Sequence, residues 1–100
     1  MVKHIVMWKL AEFAEGGSKQ QNAQKMRDML VALKHSIPQI VRIEVGINFN
    51  VSDAAWDVIL FSEFESVNDL ETYQEHPEHK KVGVFIGKIR TDRAVADYEV

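Results

Sequence analysis

The chain contains no cysteine. That excludes disulfides, thiolate nucleophiles and cysteine-ligated metals, and it suits a reducing compartment. No apolar run approaches the roughly 20 residues that a membrane-spanning helix needs. The N-terminus has no basic segment followed by an apolar stretch and a small-residue cleavage site; strand-like sequence begins at Val2. A cytoplasmic protein is the expectation. An excess of one charge is also missing. Twelve Lys and Arg face fifteen Asp and Glu, for a net charge of −3, which gives no electrostatic footprint for nucleic acid or an anionic membrane. There is no glycine-rich phosphate loop, no nucleophile elbow, and no basic–aromatic interleaving of the kind that holds single strands. Gly16-Gly17 reads as a loop before a helix. Internal repeats, low-complexity tracts and linkers are absent as well.

What is present is one ordinary globular domain over residues 1–100, with 46% apolar and 27% charged residues. A chain of this length has a limited core, which pairing with a second copy would extend. Residues 2–11 read as a strand. Val2, His4, Val6, Trp8 and Leu10 share one parity, and Lys3, Ile5, Met7 and Lys9 the other, so both faces are apolar at the centre. After Glu15-Gly16-Gly17, Ser18 is placed to cap a helix to about His35. Its apolar set is Ala23, Met26, Leu30 and Leu33, with Lys34 and His35 complementing the dipole and Pro38 closing it. Residues 40–50 alternate, with Val41, Ile43, Val45, Ile47 and Phe49 facing one way. After a turn at 50–53, residues 55–64 form a third strand, Trp56, Val58, Leu60 and Phe64 on one face and Ile59 and Phe61 on the other. Ser66-Val67-Asn68-Asp69 resembles a capping box and opens a helix over 67–75. The helix breaks near His76-Pro77 and resumes to about Ile89. Thr91-Asp92 then turns the chain into a last strand over 93–99.

The order β-α-β-β-α-β is the ferredoxin-like pattern, an α+β fold with a four-stranded antiparallel sheet. Its first and third strands are central, and these are the two that look apolar on both faces. Helices cover only one side. Ile5, Met7, Ile59 and Phe61 would then form an exposed apolar patch. A second copy packed sheet against sheet would shield it, so a homodimer is expected.

The stretch Tyr73-Gln74-Glu75-His76-Pro77-Glu78-His79-Lys80-Lys81 is the most informative segment. Proline lacks an N–H and bars the preceding residue from helical geometry. His76 therefore ends one helix or caps the next, with Pro77 at its first position. His79 falls in the first turn, where the positive helix end keeps an imidazole neutral.

Several segments carry a family resemblance: residues 4–10, Val45-Gly46-Ile47-Asn48, the run 61–66 leading into Leu70, Tyr73, His76-Pro77 and His79, and Val95-Ala96-Asp97-Tyr98. Together they resemble the stress-responsive α/β-barrel (Dabb) domain family of the dimeric α+β barrel superfamily, over nearly the whole chain. The resemblance implies a cytoplasmic ferredoxin-like homodimer with a cavity between sheet and helices. Most members have no assigned reaction. The chain is also distantly similar to the plant polyketide cyclase that makes olivetolic acid. That enzyme's cavity tyrosine and histidine match Tyr73 and His79, and a first-strand histidine matches His4. A third-strand histidine matches Val58, where this chain departs. Periodicity alone leaves open which parity of each strand faces the helices; the resemblance selects the side bearing His4, Val6, Trp8, Val58 and Leu60 as the ligand-binding wall. A small hydrophobic or aromatic ligand is implied.

Each candidate also has a plainer reading. His79 as general base with Tyr73 as oxygen-holding partner is chemically apt, because histidine titrates near neutrality and a phenol can donate to a developing enolate. Alternatively, Tyr73 fills space and His79 bonds a backbone carbonyl. His4, on an apolar face, either meets a ligand or His79, or is a core histidine with its own partner. His76 and His79 with Glu75 and Glu78 have metal-like spacing, but Pro77 intervenes and no third ligand is placed, so no metal and no cofactor are expected. Lys80, Lys81, Arg90 and Arg93 could draw an anion, or be balanced by Glu75, Glu78 and Asp92 on a solvated face. Trp8 and Trp56 could line a cavity or simply be core. The leading expectation is a small-molecule-binding homodimer without a firm reaction. The alternative is a cofactor-independent, polyketide cyclase-like enzyme using His79 and Tyr73. Oxygenation of the kind sister barrels perform has no residue here that compels it.

Overall fold

β1 (Val2–Leu10) is apolar on both parities, and the computed structural model, which describes all 100 residues, sets it in the middle of the sheet. β2 (Phe13–Ala14) and β3 (Gly17–Ser18) form a small separate hairpin. Then come α1 (Lys19–Ser36), β4 (Arg42–Ile47), β5 (Val58–Phe64), α2 (Val67–Glu75), α3 (Pro77–Ile89) and β6 (Arg90–Glu99). The four-stranded sheet runs β4-β5-β1-β6 with every neighbouring pair antiparallel. This is the ferredoxin-like α+β arrangement, with the first and third long strands central.

One face of the sheet carries the core. The even-numbered residues of β1 and β5 are buried, and one cluster joins the apolar ones among them to Met26, Leu30 and Leu33 of α1, Leu70 and Tyr73 of α2, and Val82, Ile86 and Ile89 of α3. Truncating a fully buried member such as Leu60 to alanine would cost about 2–5 kcal/mol. α1 begins with a capping box: the Gln21 N–H donates to Ser18 Oγ (3.2 Å) and the Ser18 N–H to Gln21 Oε1 (2.9 Å). Such a cap stabilises by about 1 kcal/mol. At its other end Lys34 Nζ donates to the carbonyls of Ile40 and Val41, at 3.1 and 3.2 Å.

Several boundaries differ from the sequence expectation. Glu15 and Gly16 both have positive φ (48° and 75°), which closes the β2–β3 hairpin where a plain loop was expected. β4 is shorter than the alternation over 40–50: Phe49 lies beyond its end and is 97% exposed. β5 starts at Val58, and Trp56 before it lies under Lys9, whose Nζ is 5.1 Å from the ring centre. Thr91-Asp92 makes no turn. β6 starts directly at Arg90, Thr91 Oγ1 donates to the Lys9 carbonyl along the strand, and the ladder shifts register between Lys9 and Leu10.

On the opposite sheet face Ile5 pairs with Phe61 and Met7 with Ile59, and all four are half-buried in the single chain. Part of their cover is cationic. Lys3 Nζ and the Arg42 guanidinium each lie 5.4 Å from the Phe61 ring centre, and both pair with Glu63, at 2.9 and 3.6 Å. The patch therefore has a polar rim. No helix is long and apolar enough to cross a membrane.

Candidate functional site

The α2–α3 junction builds the site. Ser66 caps α2, accepting from the Asp69 N–H at 3.1 Å. Tyr73 sits in the last turn of that helix. Pro77 occupies the start of α3, where its missing N–H leaves no intrahelical bond unmade. His76 both ends α2 and caps α3, its Nδ1 accepting from the Glu78 N–H at 3.1 Å. His79, one turn later, folds back so that Nδ1 lies 3.1 Å from the Gln74 carbonyl oxygen. A carbonyl only accepts. Nδ1 therefore carries the hydrogen, and the lone pair of the neutral ring is on Nε2. The Tyr73 and His79 ring centres are 4.5 Å apart.

These rings meet His4 from the sheet. The His4 ring is 6.1 Å from that of Tyr73 and 6.5 Å from that of Phe64. His4 is only 2% exposed, and its Nδ1–H donates to the carboxylate of Asp97, which stands opposite it in the β1–β6 register. The histidine thus has a partner of its own, as the plainer reading proposed, while its ring still lines the void. Asp97 was missed from the sequence. The signal was available: antiparallel first and last strands bring a residue near one end of the chain to face one near the other.

Between sheet and helices lies a cavity of about 190 Å³. His4, Val6 and Trp8 of β1, Leu60 of β5, Tyr73 and His79 form its walls, with Leu30, Val82, Gly83, Ile86, Gly87, Arg90 and Arg93. A void of about 150 Å³ admits benzene. Of the residues expected on this wall, Val58 is the exception. It begins β5 paired with Trp8 and Ile47, and its side chain is wholly spent in the core, away from the cavity lining. Gly83 and Gly87 were not expected. They sit one turn apart on α3, and a Cβ at either would meet nothing within 4 Å.

The electrostatics distinguish the two rings. Tyr73 is 0% exposed, and its hydroxyl has no hydrogen-bond partner within the protein. Burial pushes its pKa well above the ordinary tyrosine value, against a smaller opposing pull from Arg93. The phenol is therefore a neutral donor throughout the physiological range. Burial also holds the His79 pKa below 6.5, helped by the charges of His4, Arg93 and His76 and opposed by the Gln74 carbonyl. The neutrality expected from the helix dipole thus has desolvation as its principal cause.

Of the four cations flagged in the sequence, two are balanced: Lys80 pairs with Glu75 (3.1 Å) and Lys81 with Glu78 (3.0 Å). Asp92 accepts the backbone N–H of Arg93 (2.8 Å) and pairs with neither arginine side chain. His76 and His79 do not join a cluster of three metal-ligating side chains. A wider cleft of about 530 Å³ near Lys19, Asn48 and Asp57 is lined mainly by polar residues. Asp57 there is engaged by the Leu10 N–H (2.7 Å) and by Lys19 (3.6 Å), which leaves no candidate chemistry.

Comparison with known proteins follows this geometry. No curated protein matches the chain. Among solved structures, a dimeric protein of unknown function with a ferredoxin-like fold from Bacteroides fragilis is 35% identical, with a TM-score of 0.88 over 99% of this chain and 95% of its own. A dimeric ferredoxin-like protein from Thermobifida fusca is 16% identical, with a TM-score of 0.84 over 99% of this chain and 90% of its own. A hydroxynitrile lyase from Passiflora edulis shares the fold, at 16% identity and a TM-score of 0.83 over 99% of this chain and 92% of its own. The sequence profile of the Stress responsive A/B Barrel Domain, known as Dabb, matches residues 2–100, and the chain belongs to that family.

Proposed function

We propose that this protein is a cytoplasmic homodimer whose chains each bind a small cyclic, largely apolar compound bearing a carbonyl or similar oxygen. One observation carries the reading: the buried Tyr73 hydroxyl has no partner in the protein, and Tyr73 is one of the residues around a cavity large enough for a ring. An unpartnered buried donor costs about 1–3 kcal/mol, and a ligand oxygen would remove that cost. The dimer is supported by the half-buried Ile5, Met7, Ile59 and Phe61 patch and by the dimeric Bacteroides relative. The partner's sheet would lie against this face, closing a barrel-like core.

A second reading rests on the His79 tautomer. Its Nε2 lone pair would take a proton from a carbon next to the ligand carbonyl, and the Tyr73 O–H would donate to the developing enolate oxygen. This is the acid–base pair that the resemblance read from the sequence would imply, and it calls for no cofactor.

NMR titration with acetophenone tests the first reading. Shifts at Tyr73 and His79, with binding about 5–10-fold weaker in Tyr73→Phe, are expected for the loss of one hydrogen bond. Unchanged affinity in that variant, or no shifts at either ring with millimolar ketone, overturns it. The second reading fails if His79→Ala leaves proton exchange at the methyl group of bound acetophenone unchanged.

A further inference from the structure

The cations of this chain are almost all accounted for. Of the twelve Lys and Arg residues, seven pair with carboxylates: Lys3, Lys19, Arg27, Arg42, Lys80, Lys81 and Lys88. Lys9 and Lys25 lie over aromatic rings, and Lys34 binds two carbonyls. Arg90 and Arg93 are the two whose side chains have no such partner, and both line the His4–Tyr73–His79 cavity. Their placement follows from the fold. Arg90 is the residue that ends α3, and Arg93 stands opposite Trp8 on the helix-facing side of β6, the sheet edge. Both are exposed, so they form the solvent-side wall of a void whose other walls are largely apolar.

We infer that the cavity's ligand carries a carboxylate on its ring, received at the mouth by Arg93 and Arg90 while the ring lies inside against Tyr73 and Ile86. Guanidinium groups present a planar fork of N–H donors that fits a carboxylate with two parallel bonds. Two unpaired cations at one mouth also attract an acid from solution. The inference rests on the cavity reading above and narrows it from ring compounds in general to ring acids. The carboxylate, held by the arginines, then leaves the ring and its oxygen for Tyr73 and His79.

The test compares benzoate with benzamide, a neutral molecule of nearly the same shape, by NMR titration of the wild-type protein, Arg93→Gln, and the Arg90→Gln/Arg93→Gln double variant. Benzoate is expected to bind the wild type at least tenfold more tightly than benzamide, with that preference declining as salt is raised. The double variant should lose the preference. Equal affinities in the wild type, or a preference that survives both substitutions, overturn the anchor. If Tyr73 and His79 signals shift with both compounds at equal affinity, the anchor alone falls. If neither compound shifts them, the cavity reading falls with it. Both arginines are exposed, and an unchanged amide spectrum confirms that the variants are folded; the wild-type ratio and its salt dependence decide the matter even if a variant is not.

Discussion

Tyr73 and His79, six positions apart in the chain, hold their ring centres 4.5 Å from each other across the α2–α3 break. Six steps along a straight helix turn by about 600°, which would leave the two rings about 120° apart around the axis. Pro77 and the His76 cap interrupt the rotation, and the His79–Gln74 bond fixes the return. The site is therefore a product of the break, and its properties can be tested one ring at a time.

Removing the Tyr73 hydroxyl removes no bond within the protein. Tyr73→Phe is expected to leave stability unchanged or raise it by up to about 1 kcal/mol. Tyr73→Ala, which deletes a ring packed 5.0 Å from Phe64, should cost about 3–5 kcal/mol. Chemical denaturation of both variants without ligand checks the contrast; a large loss in Tyr73→Phe would mean that the hydroxyl is bonded after all.

His79 titrates below 6.5 in the folded chain because it is buried. The unfolded chain binds that proton more readily, so the folded state is disfavoured as pH falls. The group's contribution is complete above pH 6.5 and is lost progressively as the pH falls through the lower, folded value. The His79 ring-proton NMR titration should therefore have its midpoint below 6.5. The melting temperature of His79→Gln should fall less steeply on the acid side of 6.5 than that of the wild type. A midpoint at or above 6.5 would contradict the placement.

Gly83 and Gly87 sacrifice helix stability beside the cavity. Glycine in a helix interior is less favourable than alanine by about 0.5–1 kcal/mol, and a methyl at either site enters free space. Gly83→Ala should thus stabilise the protein by about that amount while weakening binding of ring compounds by narrowing the void. Denaturation and titration of the same sample read both effects; a gain in affinity would mean that the glycine does not serve to keep space open.

The dimer is tested at the sheet face opposite the helices. Met7→Glu and Ile59→Glu place carboxylates at directly paired positions in the centre of the patch. Sedimentation should show the wild type at twice the chain mass and the double variant at the chain mass. A wild type that sediments as one chain at micromolar concentration would remove the interface.

Much of this was legible in the sequence because the signals are local. Ser18 and Ser66 precede apolar periodicity, His76-Pro77 marks a helix restart, and doubly apolar β1 and β5 announce central strands. The pairing of His4 with Asp97 spans 93 positions and depends on strand register, which single-residue patterns do not carry. Phe49 continued an alternation that the sheet does not use, since β4 ends at Ile47 where its partner β5 begins. Val58 had the parity of the cavity wall but stands at the wrong point along its strand. Arg90 and Arg93 resembled a neutralised face until the carboxylates nearby in sequence proved to be engaged elsewhere.

The cavity takes its walls from β1, β5, β6 and all three helices. A compound filling it would act as mortar between segments drawn from the whole length of the chain. An occupant at a hundredfold excess over its Kd would add about 2.7 kcal/mol of resistance to unfolding. A melting-curve survey of small ring acids and ketones would thus test the proposed ligand class through the stability of the fold.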